Sequence, residues 1–259
     1  MPVDFCLRLA LGMMACLLLL SPAATASPAP GHKPLAHPAF FRTQFLVVLA
    51  LACGALLLAR STAGWPLLGV LGATMLLACL GSVTWSLERS PGGIALIVLT
   101  TALLVAGLVL HESAHLEGRN LAGTLAGSLS SAAVLGTAIS AMLIGHSYLI
   151  APAMSLTPLY RLLAALAAAL GARMLVDGWA ACLWHAEHSL AGLQGDAVLW
   201  LPVRWLVGFI APLVLCWMAW QTARIRSTQS ATGILYVVVI FCFLGELTGL
   251  LLREKGLTL

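Results

Sequence analysis

The chain has 259 residues, of which 61% are hydrophobic and 8% are charged, with a formal net charge of +4. A soluble domain carries about 25% charged residues, so this composition excludes a soluble globular protein and indicates a polytopic membrane protein. The positive charge is scattered, and no basic run with interleaved aromatic residues suggests a nucleic-acid partner. We therefore expect the lipid bilayer and other membrane subunits as partners, and no nucleic acid.

The N-terminal segment has the features of a secretory signal. Arg8 precedes an apolar run over residues 9–20, and Ala24-Thr25-Ala26 is a small-residue cleavage site. The alternative is an uncleaved signal anchor, although the run is short for a span, which needs about 20 apolar residues. The sequence thus predicts a signal peptide or signal anchor over residues 1–26 and a Pro-rich extramembrane tail over 27–42.

Seven apolar stretches follow and predict a seven-span transmembrane domain over residues 43–259. The stretches cover residues 43–59, 65–85, 94–110, 121–144, 158–184, 197–220 and 232–252. The predicted fold is all-α, a polytopic helix bundle in a bacterial-type plasma membrane, with short connections between antiparallel neighbours. The fourth stretch contains Gly123-x-x-x-Gly127 among many small residues, which predicts a central helix that another backbone approaches closely.

Four charged residues fall inside three of the predicted spans. We call the membrane side that carries the Pro-rich tail side A, and the opposite side B. Arg173, Asp177, Arg204 and Glu246 all lie in the B half, at depths of roughly 10 Å or more. Charges at such depth normally face the bundle interior and pair with one another. The sequence predicts an intramembrane polar network, which either locks the helices together or forms a site for a substrate, an ion or a proton.

His111, Glu112 and His115 form the pattern H-E-x-x-H. On a helix this spacing places both imidazoles on one face, where they can share a metal. An apolar run precedes the pattern, and Asp177-Gly178 lies two spans later. In these features the chain resembles the site-2 family of intramembrane metalloproteases. The resemblance implies that His111, His115 and Asp177 bind zinc and that Glu112 is the general base.

Histidines offer a second metal hypothesis that involves no proteolysis. His185 and His188 follow the fifth predicted span and fall on side B, like His111 and His115. These four imidazoles are an alternative set of metal ligands. The competing interpretation is that they belong to two solvated interfacial loops. A bis-histidine haem is disfavoured, because no histidine lies in the interior of a predicted span.

Side A carries two further candidate sites. His146 and Tyr148 lie at the end of the fourth predicted span, where they suggest a pocket for a lipid headgroup or a quinone. An ordinary aromatic belt is the alternative. The loop over residues 222–232 contains Arg224, Arg226 and Gln229, which suit an anion, a lipid phosphate or a docking partner.

The preferred function is non-enzymatic: a transporter-like protein, or a membrane subunit of a larger complex, of which a redox complex is one version, with an internal charged site. The alternative is a site-2-like intramembrane zinc protease that uses HESAH and Asp177. The sequence specifies no cofactor. A signal sequence or signal anchor places side A outside the cell. Lys and Arg are slightly more numerous on side A than on side B, which favours the opposite orientation.

Overall fold

The computed structural model describes residues 1–25, 38–87, 92–116, 120–150, 154–187 and 197–254. Every regular element in these ranges is helical, so the all-α prediction is confirmed. The elements are α1 (Pro2–Thr25), α2 (Pro38–Ala59), α3 (Trp65–Thr84), α4 (Gly93–Ala114), α5 (Leu121–Ile150), α6 (Thr157–Glu187), α7 (Ala197–Trp205), a π-helical turn (Leu206–Ile210), α8 (Ala211–Arg224) and α9 (Thr228–Glu254).

Eight helical units in the described ranges are long and apolar enough to cross a membrane. Seven of them correspond to the predicted spans, with α7, the π-helical turn and α8 together forming the sixth. The eighth unit is α1, the segment with the features of a signal. The protein is therefore a multi-pass membrane protein, and its first helix is one of the eight units that can span.

Several helices extend beyond the apolar stretches that predicted them. α2 begins at Pro38, so residues 38–42 of the predicted tail are helical. α5 ends at Ile150 and α9 begins at Thr228, each several residues outside its predicted span. Hydrophobicity marks only the part of a helix that lies in hydrocarbon, and backbone hydrogen bonding continues into the interfacial region. The rest of the predicted tail, up to residue 37, lies outside the described residues.

α1 packs at the centre of the bundle, against α2, α4 and α5. Its contact with α5 is backbone to backbone at Gly12 and Gly136. A Cβ atom on Gly12 would overlap the carbonyl group of Ala132, and one on Gly136 would overlap Gly12 itself. The close approach thus involves Gly136, further along α5 than the predicted Gly123-x-x-x-Gly127 pair. Small residues permit such packing because helices in lipid associate mainly by van der Waals contact.

The sixth span is irregular where it meets α9. Pro202 lies inside α7, and the π-helical turn follows directly. Gly208 of that turn touches Gly245 of α9 so closely that a Cβ atom on either glycine would overlap the other. Proline removes a backbone donor, and a π-turn adds a residue to the helical repeat, so both interrupt the regular hydrogen bonding of this span. The interruption lies beside Arg204, one of the four predicted intramembrane charges.

Candidate functional site

Arg173, Asp177, Arg204 and Glu246 meet in one network between α6, α7 and α9. Arg204 Nη2 lies 2.8 Å from Asp177 Oδ2 and 3.1 Å from Glu246 Oε1. Arg173 Nη1 lies 3.1 Å from Asp177 Oδ1, and its Nε lies 3.5 Å from Glu246 Oε1. Each cation therefore contacts both anions. We call these four residues the inner network.

The helices place these side chains in a buried and neutral cluster. Arg173 and Asp177 are one turn apart on the same face of α6, the spacing that lets side chains pair along a helix. Arg173 Nη1 also donates to the carbonyl of Gly127 at 3.0 Å, which ties α5 to the network. All four charged side chains are at most 3% exposed. Two cations offset two anions, which reduces the free-energy cost of burying each charge.

Some polar atoms of the inner network lack a hydrogen bond to the described part of the protein. Arg204 Nη1 and Glu246 Oε2 are buried and have no hydrogen-bond partner among the described residues. The Ser131 hydroxyl of α5 lies beside Glu246, and the Arg204 guanidinium sits 4.3 Å from the centre of the Phe209 ring. Buried polar atoms are normally paired by protein, water or ligand. The cluster therefore contains a buried donor, Arg204 Nη1, that makes no hydrogen bond among the described residues, and a carboxylate, Glu246, that has the Ser131 hydroxyl beside its ion pairs.

A second buried network, which we call the outer network, joins α1, α4, α5 and α9. Arg8 Nε donates to Asp4 Oδ1 at 2.7 Å, and its Nη2 donates to Glu112 Oε1 at 3.2 Å. Arg253 Nη1 lies 3.2 Å from the same Glu112 oxygen and 3.4 Å from Asp4 Oδ2. Arg253 Nη2 and the Ser128 hydroxyl also donate to the Glu112 carboxylate. This network is again two cations and two anions.

The outer network lies between the inner network and side B. Arg253 is seven residues beyond Glu246 on α9, which is about 10 Å closer to side B along the helix. Asp4 and Glu112 are likewise near the side B ends of α1 and α4. The Arg8 guanidinium is close enough to interact electrostatically with Arg173 and Glu246. The two networks thus form successive charged layers in one half of the membrane.

The outer network was not predicted from the sequence, because Asp4 and Arg8 fall within the segment that has the features of a signal. One feature of the sequence pointed to an ion pair in this segment. Asp4 and Arg8 are four residues apart, the spacing of an ion pair on a helix. An acidic residue ahead of the arginine also neutralises a region that is positively charged in a typical signal peptide.

The HESAH segment is the last turn of α4, with His115 as the residue that ends the helix. The rings of His111 and His115 lie side by side with centroids 4.7 Å apart, as the helical spacing predicted. His115 Nδ1 donates to the His111 carbonyl at 2.8 Å. Glu112, however, faces the bundle interior, where Arg8 and Arg253 hold both of its oxygens. A carboxylate paired in this way is unavailable to activate a water molecule beside the imidazoles.

The other predicted ligands are also apart from these histidines. Asp177 is ion-paired in the inner network. His185 is exposed in the last turn of α6, and His188 lies outside the described residues. Within the described ranges, no three His, Cys, Asp or Glu side chains converge on a point that suits a metal ion.

The two side A residues of the candidate headgroup or quinone pocket have different partners. Tyr148 is buried, and its hydroxyl donates to the Ser155 carbonyl at 2.6 Å. His146 is exposed, and its Nδ1 lies 3.4 Å from the Tyr236 hydroxyl. Residues two apart on a helix point in nearly opposite directions, which explains the separation.

The predicted anion-binding loop is a tight turn between α8 and α9. Arg224 ends α8, and Arg226 follows two residues later. Gln229 lies in the first turn of α9. All three side chains are exposed on side A, far from both buried networks.

No protein-family model, curated protein or solved structure matches this chain. The resemblance to the site-2 family rests on HESAH and on Asp177-Gly178. Because Glu112 and Asp177 are each ion-paired to two arginines, the buried networks are the better basis for assigning a function.

Proposed function

We propose that this protein is a transporter-like membrane protein whose inner network binds or relays a small ion or a proton. The observation that carries the proposal is that two atoms of a neutral buried cluster, Arg204 Nη1 and Glu246 Oε2, make no hydrogen bond of ordinary geometry among the described residues. A cluster that only locks helices together gains most when every polar atom is paired. A binding site needs hydrogen-bonding groups that are not already paired within the protein.

The irregular sixth span supports the proposal by providing a hinge. Pro202 and the π-helical turn flank Arg204, so this arginine sits where the regular backbone hydrogen bonding of the span is interrupted. π-turns occur frequently at functional sites. Transporters commonly place their sites at interrupted helices, near the middle of the membrane. Movement of this span relative to α9 would separate Arg204 from Glu246 and open the inner network.

The outer network is the proposed gate toward side B. It lies above the inner network and is built from the ends of three helices, α1, α4 and α9. Breaking the pairs that Glu112 makes with Arg8 and Arg253 would connect the inner network with water on that side. In the arrangement described here both layers are closed, since the inner side chains are at most 3% exposed.

A membrane subunit of a larger complex is the second candidate. In that case the two networks would fix the packing of α1, α6 and α9, and the exposed apolar surface would contact partner subunits as well as lipid. A site-2-like protease is less well supported, because its proposed base and third zinc ligand are both ion-paired.

We also propose that α1 is retained in the mature protein as a signal anchor. Arg8 is 1% exposed and paired with Glu112, and Gly12 is in backbone contact with Gly136. Removing α1 would leave Glu112 short of one cation and expose the face of α5 around Gly136. With its N-terminus on side B, a retained anchor places side A outside the plasma membrane.

Reconstitution into liposomes tests the transport proposal. Wild type should carry protons, sodium or chloride down an imposed gradient, as reported by internal dyes. The paired variant Arg173→Gln/Asp177→Asn removes one cation and one anion, so it stays neutral, and it should reduce flux to the level of empty liposomes. Gln44→Met is a matched control, since it removes a buried polar contact to Ser140 that lies outside both networks. Flux equal to empty liposomes for wild type under all three gradients would refute the proposal.

A further inference from the structure

Two adjoining cavities open on side A and share Arg224 as a wall. The first is a groove of about 550 Å³ between α6 and α8. The second is a smaller cavity of about 420 Å³, formed by residues 154–157, Tyr160, Arg224 and Arg226. The groove is mainly apolar, and the smaller cavity carries the two arginines and several polar groups. An apolar groove that ends at a cationic pocket matches a phospholipid, which has apolar acyl chains and a phosphate-bearing headgroup.

The groove has the length of one membrane leaflet. It follows α8 from Leu213 to Arg224, which is about 16 Å at the rise of a helix. Half of the hydrocarbon core is about 15 Å thick. Trp217 lines the groove and is 63% exposed, so the groove faces the surroundings of the bundle. An acyl chain of the side A leaflet can therefore lie along it with the headgroup near Arg224.

Arg226 occupies a backbone position that favours glycine. It is the one non-glycine residue with positive φ, 58°, in the described ranges. Its N–H donates to the Ala223 carbonyl at 3.0 Å, and the next N–H, of Ser227, donates to the Thr222 carbonyl at 3.1 Å. These two bonds define a Schellman motif, whose left-handed residue is usually glycine. An arginine at this strained position suggests that its side chain is used there.

The cationic pocket has donors without acidic partners. Arg224 Nη1 makes one long contact, 3.4 Å, to Gln221, and neither Arg224 nor Arg226 has an ion pair among the described residues. The Ser155 hydroxyl in the same cavity is a buried atom with no hydrogen-bond partner in those ranges. The Tyr148 hydroxyl holds the Ser155 carbonyl and so fixes this wall. Arginine and hydroxyl donors are the groups that bind phosphate oxygens well.

We propose that this site binds an anionic phospholipid, with its phosphate between Arg224 and Arg226 and one acyl chain in the groove between α6 and α8. The assignment of the headgroup rests on charge complementarity. The assignment of the acyl chain rests on the length of the groove, which matches one leaflet. The site is separate from both buried networks and does not depend on the proposed transport function.

Native mass spectrometry of delipidated protein with added phosphatidylglycerol or phosphatidylcholine tests the proposal. Wild type should bind phosphatidylglycerol more tightly. Arg226→Gly suits the left-handed backbone and removes the whole side chain with its positive charge, so it should lower this preference by about fivefold, as expected for one cation near a membrane surface, while thermal stability is kept. Ala167→Trp fills the groove and should weaken binding of both lipids. Arg42→Gln changes an exposed arginine on the same membrane side outside the site and should have no effect.

Three results would overturn the assignment. The first is equal binding of the two lipids by wild type. The second is an unchanged preference in Arg226→Gly. The third is complete displacement of phosphatidylglycerol by an equal concentration of glycerol phosphate, which would show a site for a soluble phosphate and not for a lipid.

Discussion

Arg8 and Glu112 are separated by 104 positions in the sequence and form a buried ion pair, with Arg8 Nη2 3.2 Å from Glu112 Oε1. This contact joins the first helix to the residue that a sequence motif assigns to catalysis. It changes the role expected of both segments. Glu112 is a structural anion that holds α1 and α9, and α1 is a member of the bundle.

The HESAH segment gives a prediction that separates the ion-pair role from a zinc site. Glu112→Gln should lower the free energy of unfolding by about 3–5 kcal/mol, because it leaves two buried arginines short of an anion. His111→Ala and His115→Ala should cost much less, since each removes one ring at the end of α4 and leaves the four charged side chains of the outer network in place. Thermal unfolding in detergent measures the stability of the three variants, and metal analysis measures their zinc content. A zinc site would instead give a wild type with stoichiometric zinc, which His111→Ala and His115→Ala lose and Glu112→Gln keeps, because the glutamate is the base and not a ligand.

Retention of α1 predicts the mass of the mature protein. Intact-mass spectrometry of protein purified from membranes should show a chain that still contains Asp4, Arg8 and Gly12. Their contacts with Glu112, Arg253 and Gly136 hold α1 in the bundle. A mature N-terminus at Ser27, just after the Ala24-Thr25-Ala26 site, would contradict this role of α1.

The crossing of α1 and α5 predicts an effect of adding one methyl group. Gly12→Ala should destabilise the protein by about 1–3 kcal/mol or more, because the new Cβ atom would overlap the Ala132 carbonyl and the two backbones must separate. Gly72→Ala on α3 is the matched control. A Cβ atom there meets no atom within 4 Å, so the better helix propensity of alanine should leave stability equal or slightly higher.

The inner network predicts non-additive stability. Asp177→Asn alone leaves Arg173 and Arg204 with only Glu246 and should cost about 3–5 kcal/mol. Adding Arg173→Gln restores neutrality, so the double variant should be more stable than Asp177→Asn. Thermal unfolding of the single and double variants measures the coupling between the two sites. Additive losses would show that the four charges do not act as one unit.

The fold and the inner network could be anticipated from the sequence for one physical reason. A hydrocarbon layer requires apolar stretches of a fixed length and disfavours exposed charge, so apolar stretches predict spans. A charged residue within a span, such as Asp177 or Glu246, is for the same reason expected to face the bundle interior. The outer network could not be anticipated in this way. Asp4 and Glu112 lie near helix ends, where a charge is equally compatible with water, and only packing shows that they are buried. The π-helical turn beside Arg204 likewise has no distinct sequence pattern.

The most direct test of the internal site is the accessibility of its surroundings to water from side B. In a variant without the seven native cysteines, Ser131→Cys places a thiol beside Glu246. Ser140→Cys places one on the same helix, at a buried position outside both networks. If the networks open during function, a charged, water-soluble thiosulfonate added on side B should label the thiol at position 131 in intact membranes and leave position 140 unlabelled. Equal protection of both thiols in membranes, with both labelled after denaturation, would show that the inner network is a permanent lock between helices and contradict the transport proposal.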